Sequence, residues 1–592
     1  MNCLDLFARA ERWLVHDPDP DTCVELRALL DRAQGGGADA GVAHAELAER
    51  FLGPLEFGTA GLRGLLGAGE SRMNRAVVRR TSWGLGQHLL ARGPEGARAR
   101  GVVIGYDGRR LGLELAEDTA CVLAALGIPA KLTAWPCSTP QLAFAVTDLH
   151  AAAGVMVTAS HNPPQYNGYK VYGGNGAQII PPDDTGIAAR IAAAPEADAV
   201  PRLSLADGEE RGLVTRFGDE VERRYLDAVR ALSVRADGDR SLAIVYTPMH
   251  GTGNRPTRRA LAEAGFTDVT TVPEQAEPDG AFPTVAFPNP EEKGALDLAF
   301  ALARTRSAPL VLANDPDVDR LAVAVRDPTG SYVQLTGNQV GALLGHYVLT
   351  EGTAAHGDRV VVASLVSSPM LGVMAKALGV RYEETLTGFK WIANRAMEIE
   401  RETGARFVFG FEEALGYTVG RVVRDKDGIS AAVILAELAA VRWAEKKTLL
   451  DELEDLARRY GLFVSAQRAI TLPGADGLAR IGEIMSRLRA APPPRIGDRE
   501  VLAVSDYQAQ RRTARGGAVT PITLPRSNVL GFDLEGGSRV IVRPSGTEPK
   551  IKLYVDLREH IAADEPIADA ERRAGQKMAA LGEAFAAVAG VG

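Results

Sequence analysis

Asp315, Asp317 and Asp319 alternate along the short stretch Asn314-Asp-Pro-Asp-Val-Asp-Arg320. Carboxylates this close repel one another unless a cation holds them. Hard oxygen ligands suit Mg2+ or Ca2+. An EF-hand loop opens with the same alternation, but it needs Gly at its sixth position and Glu at its twelfth. Here those positions hold Arg320 and Arg326, so Mg2+ fits better. Three carboxylates also leave room in the ion's shell for a phosphate oxygen. A second stretch offers a group that could carry phosphate: Thr158-Ala-Ser-His-Asn-Pro-Pro-Gln-Tyr-Asn-Gly-Tyr-Lys170. The apolar run Ala152–Val157 reads as a buried strand that stops at Thr158. Ser160 then stands at the strand's end with His161 beside it, two prolines stiffening the loop, and Lys170 just beyond. A serine so placed can be a covalent carrier. Taken singly, a Ser-His pair is an ordinary polar turn and an aspartate loop a solvated one.

Two further loops add weight. Arg543-Pro-Ser-Gly-Thr-Glu-Pro-Lys550 combines a guanidinium, two hydroxyls and a flexible glycine between expected strands near Arg539–Val542 and Ile551–Val555. Arg543, Ser545, Thr547 and backbone N–H groups could grip a phosphate there, although a plain hairpin turn would look similar. Gly410-Phe-Glu-Glu-Ala-Leu-Gly-Tyr417 presents Glu412 and Glu413 on a Gly-bounded loop, which suits the hydroxyls of a sugar. Lys390 and Lys426 are surface lysines by default. There is no G-x-x-x-x-G-K-[ST] nucleotide loop and no G-x-S-x-G elbow.

The elements that must position these loops alternate. A Gly-rich loop, Gly58–Gly64, follows about fifty polar-amphipathic helical residues broken at Gly35-Gly36-Gly37. Strands are expected at Val102–Tyr106, Lys131–Trp135, Leu242–Tyr246, Leu310–Ala313, Val360–Ala363 and Phe407–Phe409, with helices between them. Pro195–Glu210 reads as a linker, and one long helix is expected from Asp427-Gly428 to about Arg459. The pattern gives three similar α/β units and a smaller C-terminal α+β unit, with boundaries at 1–205, 206–330, 331–460 and 461–592. At 592 residues the chain is too long for one core, and about 150 residues per domain gives the same count. With 46% hydrophobic and 24% charged residues it is globular. Acidic residues outnumber basic ones, 75 to 67, which argues against a nucleic-acid partner but leaves a local basic pocket open. The four cysteines form no C-x-x-C pair, so a zinc site or redox dithiol is not expected. No apolar run could span a bilayer, and the charged N-terminus is no signal peptide. A soluble, cytoplasmic protein without a membrane partner is expected.

Taken together, T-A-S-H-N-P, D-P-D-x-D-R, the G-x-E-E loop and R-P-S-G-T-E-P stand in the order of the α-D-phosphohexomutase superfamily, which the chain resembles from about Gly58 to Tyr554. The resemblance implies a four-domain α/β architecture in which each domain donates one loop to a central cleft. It implies that Ser160 is a phosphoserine and that Ser160, Asp315, Asp317 and Asp319 hold Mg2+. Ser160 would pass its phosphoryl group to a sugar monophosphate. The bisphosphorylated sugar would turn around and return its other phosphate, so a glucose 1,6-bisphosphate type activator is implied as well. Arg63 and Arg320 would stabilise the phosphoryl group, and His161 and Lys170 would contact it or move protons, with Lys170 favoured as general base. A lysine in that role needs a depressed pKa. Thr387, Gly388 and Lys390 match a Thr-Gly-aromatic-Lys loop of the family's glucose mutases, and Lys426 lies in a matching R-x-K-D-G segment. With Glu412 and Glu413 these would bind substrate, and Arg543, Ser545, Gly546 and Thr547 would hold the phosphate that is not reacting.

Many members have Ser two residues after the first Glu of the sugar loop, where this chain has Ala414. With Glu56-Phe57, Tyr169 and the long chain, this resembles the branch of phosphoglucomutase-2-like and phosphopentomutase enzymes. The expected activity is hexose 1-phosphate to hexose 6-phosphate interconversion, glucose first and mannose second, by a monomer or dimer. A phosphopentomutase, a non-catalytic sugar-phosphate-binding protein and a Mg2+-dependent sugar phosphatase are the alternatives.

Overall fold

A computed structural model describes residues 3–56, 61–351, 358–472, 476–545 and 550–591. The chain forms two compact units: residues 1–335 with 416–440, and residues 336–415 with 441–592.

The first unit contains two sheets. In the first, the strand order is Leu62–Leu65, Tyr166–Gly173, Ala153–Val157, Val102–Tyr106, Ala130–Thr133 and Val214–Phe217. Val102–Tyr106 and Ala153–Val157 are parallel neighbours buried along their whole length, as their unbroken apolar sequences require. Helices Gly112–Ala125 and Thr139–Asp148 make the crossovers. The second of these opens on a capping box between Ser138 and Gln141. Tyr166–Gly173 folds back antiparallel, setting Lys170 opposite Met156, and Leu62–Leu65 pairs outside it with Arg63 opposite Gly168. The sheet therefore gathers Arg63, Ser160 and Lys170 at one end. Val214–Phe217 belongs to this sheet, so Pro195–Glu210 is no linker and the boundary expected at 205 falls short.

The second sheet runs Tyr332–Gln334, Ala322–Arg326, Leu310–Ala313, Ile244–Thr247, Val269–Thr271. Its buried strand Leu310–Ala313 feeds the aspartate loop, and the chain returns antiparallel with Ala322 opposite Ala313.

The residues before the first sheet form three helices, Cys3–His16, Pro20–Gln34 and Ala38–Arg50. Leu6, Leu26, Leu30, Leu47 and Phe51 bury a small core there with Ala68. Arg50 donates to the Ala68 carbonyl at 3.3 Å and pairs with Glu25 and Glu46, both at 2.7 Å. The extension thus packs on the segment just after the strand that carries Arg63. Leu47 is fully buried, and Leu47→Ala should cost about 2–5 kcal/mol in a denaturant melt.

In the second unit, Arg381–Thr385, Arg359–Ser364 and Arg406–Glu412 lie side by side in that order and run parallel. The C-terminal sheet is antiparallel, with helices Gly477–Ala490 and Ile567–Ala589 burying Met485, Leu488 and Phe585 against Phe532, Val540 and Leu553. The helix expected to run to Arg459 is two helices, Gly428–Ala444 and Leu449–Tyr460. Lys446 turns left-handed (φ 63°), its N–H caps the Trp443 carbonyl at 3.0 Å, and Thr448 starts the next helix with Asp451 as its capping box.

Candidate active site

Ser160 is buried and sits in the left-handed region, φ 52°, a conformation L-residues adopt only when the surroundings enforce it. Its hydroxyl donates to Asp315 Oδ2 at 2.8 Å and lies 3.1 Å from His161 Nδ1. The two strand-end loops that the sequence singles out therefore meet, 155 residues apart along the chain.

Asp315, Asp317 and Asp319 are fully buried, with one carboxylate oxygen from each lying within 4.8 Å of the others. Asp317 Oδ2 accepts from Lys170 Nζ and from Thr139 Oγ1, both at 2.7 Å. Asp319 Oδ2 accepts from Lys170 Nζ at 3.0 Å and from Lys426 Nζ. Asp315 Oδ1 accepts the Arg320 N–H at 3.0 Å. What is left over is informative: Asp317 Oδ1 and Asp319 Oδ1 are buried without a partner. Buried lone pairs of this kind are costly unless something binds them. With Asp315 Oδ2 and Ser160 Oγ they make an all-oxygen set that fits a hard divalent cation.

The electrostatics follow from crowding. Burial, then the charges of Asp317 and Asp319, push Asp315 well above the usual carboxylate range. For Asp319 burial works the same way, but the ammonium groups of Lys170 and Lys426 outweigh it and hold the carboxyl far below that range. Burial also opposes the charge on Lys170, yet Asp317, Asp319 and Asp425 more than offset it and push Lys170 up. That is the opposite of the depressed pKa a general base needs. In this structure Lys170 is a fixed cation that holds two carboxylates in place.

Arg63 and Arg320 flank the serine. Arg63 Nη1 donates to Asn162 Oδ1 at 2.9 Å, and burial followed by the charge of Arg320 lowers its pKa. Arg320 pairs with Glu291 at 3.3 Å, while its Nε is buried without a hydrogen-bond partner. Two desolvated guanidiniums that repel each other beside a serine suit an incoming anion. Burial, Arg320 and Arg63 push His161 well below the ordinary histidine value, so its imidazole is neutral.

Lys426 is not a free surface lysine, since its ammonium rests on Asp319. Asp425 fixes it in place, accepting the Lys426 N–H at 2.8 Å on one oxygen and Tyr172 OH (2.8 Å) and Gln178 Nε2 (2.7 Å) on the other.

A second constellation lies in the second unit. Arg543 donates to Thr387 Oγ1. The Gly388 N–H donates to Glu412 Oε1 at 2.7 Å, with Gly388 at φ 111°, where a side chain would be strained. Glu413 Oε2 accepts from Ser364 (3.2 Å) and Ser367 (3.1 Å). Lys390 is buried with Nζ 5.6 Å from the Trp391 ring centre. Glu412 ends a strand rather than lying in a loop, because Arg406–Glu412 continues past Gly410. The Ser545 N–H donates to the Lys550 carbonyl at 2.8 Å. Gly546 and Thr547 lie outside the described residues.

Four stretches match, in order, the descriptions of phosphoglucomutase/phosphomannomutase α/β/α domains I (54–198), II (223–330) and III (336–460) and the family's C-terminal domain (495–574). The chain belongs to the phosphoglucomutase/phosphomannomutase family. It is 42% identical over 490 residues to a probable phosphomannomutase of Haemophilus influenzae, covering 82% of this chain and 93% of that one. It is 36% identical over 571 residues to a probable phosphoribomutase of Schizosaccharomyces pombe, 94% of each chain. Against a phosphoglucomutase of Staphylococcus epidermidis the identity is 38% over 508 residues, 85% of this chain and 90% of that one. A solved structure of a phosphoglucomutase/phosphomannomutase family protein from Burkholderia thailandensis shares the fold, with TM-score 0.62 at 20% identity, 89% of this chain and 96% of that one.

As a member of this family the protein is an intramolecular phosphotransferase, an isomerase of carbohydrate metabolism. The sequence reading did not single out several residues that hold the groups described above. In the first unit Thr139 grips Asp317 and Asp425, itself held by Tyr172, fixes the backbone of Lys426; in the second unit Ser364 and Ser367 hold Glu413. It also missed Asp107 and Arg109, although Asp107 directly follows the apolar strand Val102–Tyr106 much as Thr158 follows Ala153–Val157. That shared pattern, a polar residue closing a buried strand, was the available signal. No helix among the described residues is long and apolar enough to cross a membrane.

Proposed function

We propose that this phosphomutase interconverts a hexose 1-phosphate and the hexose 6-phosphate, with glucose the first substrate and mannose the second, through a phosphoserine at Ser160 and a bisphosphorylated sugar. The observation that carries the reading is the Ser160 hydroxyl 2.8 Å from Asp315 within a buried aspartate triad that keeps two unpartnered oxygens. Mg2+ held by Asp315, Asp317, Asp319 and an oxygen on Ser160 would offset charge on the transferring phosphoryl group. Lys170 and Lys426 hold Asp317 and Asp319 so that their other oxygens stay turned away from the lysines. Arg63 and Arg320 take the phosphoryl oxygens.

When Ser160 accepts phosphate, its Oγ–P bond forms as the sugar O–P bond breaks. The hydroxyl proton turns from Asp315 Oδ2 to the neutral His161 Nδ1, 3.1 Å away, and the imidazolium then gives it to the sugar oxygen released from phosphorus. In the reverse direction the imidazole takes the proton of the attacking sugar hydroxyl and returns it to Oγ as the Oγ–P bond breaks. Thr387, Gly388, Lys390, Glu412 and Glu413 contact the sugar. Arg543, Ser545, Gly546 and Thr547 hold its second phosphate. A bisphosphorylated sugar of the glucose 1,6-bisphosphate type primes Ser160.

A pentose 1-phosphate is the second reading, supported by the phosphoribomutase name of a relative matching 94% of each chain. Phosphorus NMR with Mg2+ and a trace of bisphosphate primer tests both. Glucose, mannose, ribose and deoxyribose 1-phosphates are offered separately and initial rates compared. Glucose 1-phosphate is expected to convert fastest, with little inorganic phosphate released. Fastest conversion of a pentose would overturn the hexose assignment, and inorganic phosphate as the main product would overturn the mutase reading.

A further inference from the structure

We propose that Asp107 and Arg109 form a brace that holds the Ser160 turn in its reactive geometry, making both positioning residues for phosphoryl transfer. The inference rests on the reading of Ser160 as the phosphoryl carrier. The Arg109 guanidinium is buried and spends its donors on one loop. Nη1 donates to the carbonyls of Pro163 (2.9 Å) and Tyr166 (3.1 Å), and Nη2 to those of Ser160 and Asn162. Its Nε lies 3.4 Å from Asp107 Oδ2, and the Phe282 ring covers it at 5.0 Å.

Asp107 grips the other end of the turn. Oδ1 accepts the Arg109 N–H at 3.0 Å. Oδ2 accepts the Thr158 hydroxyl at 2.6 Å, and Thr158 Oγ1 in turn accepts the Ser160 N–H at 2.8 Å. The sheet makes this possible, because Tyr106 and Val157 are paired neighbours on parallel strands and Asp107 N–H donates to the Val157 carbonyl at 3.1 Å.

The brace has work to do. Ser160 sits at φ 52°, which an L-residue leaves when untethered. Relaxation towards an extended backbone would swing Oγ off Asp315 Oδ2, and a displacement near 1 Å is enough to slow a positioned reaction by about a hundredfold. The contacts of Arg109 are to backbone carbonyls of the loop, so its loss should act on the chemical step rather than on substrate affinity.

The test compares wild type with Arg109→Ala and Thr158→Val, reading kcat and KM for the preferred sugar phosphate. Arg109→Ala should lose about a hundredfold in kcat with KM within about twofold. Guanidinium chloride at about 10 mM should restore about tenfold of that loss by filling the vacated site, and should leave wild type unchanged. Thr158→Val, nearly isosteric, should lower kcat about tenfold with KM unchanged. A merely structural Arg109 would lower the melting temperature yet keep kcat per folded molecule, and would show no guanidinium rescue. That result, or a loss confined to KM, overturns the brace. If Arg109→Ala does not fold, Thr158→Val decides: lowered kcat supports the brace and unchanged kcat overturns it. Wild type inactive on every sugar phosphate sinks the mutase reading and the brace with it, whereas active wild type beside unchanged variants sinks the brace alone.

Discussion

Ser160→Ala is expected to lower turnover by about 10^4-fold or more, because it removes the atom that carries phosphate between the two halves of the reaction. The side chain lost is small and its hydroxyl makes two contacts, to Asp315 and His161, so the fold should survive. Intact mass of the wild type after incubation with a bisphosphorylated sugar should show one added phosphoryl group, absent in the variant. The comparison also separates the alternatives. A binding protein would keep its sugar-phosphate affinity in both forms and show no turnover in either. Near-normal isomerisation by the variant would rule out a covalent route through Ser160.

Asp317→Asn should be nearly as damaging, with a loss of about 10^2–10^4-fold at fixed Mg2+. An amide offers one acceptor oxygen where the carboxylate offers two. Oδ2 is engaged by Lys170 and Thr139, so if the amide oxygen faces them, an N–H pair faces the place where Oδ1 stands unpartnered. A donor there opposes a cation. The charge effect on Asp315 adds a pH signature. In wild type, burial and the charges of Asp317 and Asp319 push Asp315 up, so a proton competes with the cation at that carboxyl. Apparent Mg2+ affinity should therefore rise with pH, by up to about tenfold per unit until Asp315 is ionised. Removing the charge of Asp317 removes one cause of the shift, so the same rise should move to lower pH in Asp317→Asn even though overall affinity is weaker. Activity titrated with Mg2+ at several pH values reads both effects. An affinity independent of pH in wild type would contradict the competition.

The chemistry of this protein was legible where it is written contiguously. The alternation of Asp315, Asp317 and Asp319 after the buried strand Leu310–Ala313, and the break from Ala153–Val157 into Thr158-Ala159-Ser160, are local patterns. A run of four to six apolar residues ending in polar turn residues is too short for a buried helix and reads as a strand delivering a loop, and the loop's residue types then limit what it can bind. The alternation of elements gave the α/β layers for the same reason. Local pattern failed where partner choice lies far along the chain. Lys170 reads as a candidate base, and only the meeting with Asp317 and Asp319, 147 and 149 residues away, makes it a buried counter-ion. Lys426 reads by itself as a surface lysine and by resemblance as a substrate contact, and its place on Asp319 depends on Asp425 finding Tyr172 and Gln178. Thr139 and Arg109 carry no sequence mark, because their function is to satisfy groups that only the folded chain brings near them. The sequence by itself determined which chemical groups stand at the strand ends. The tertiary structure decided which of them are charged, which are held and which oxygens are left over, because desolvation and ion pairing are set by neighbours in space rather than in sequence.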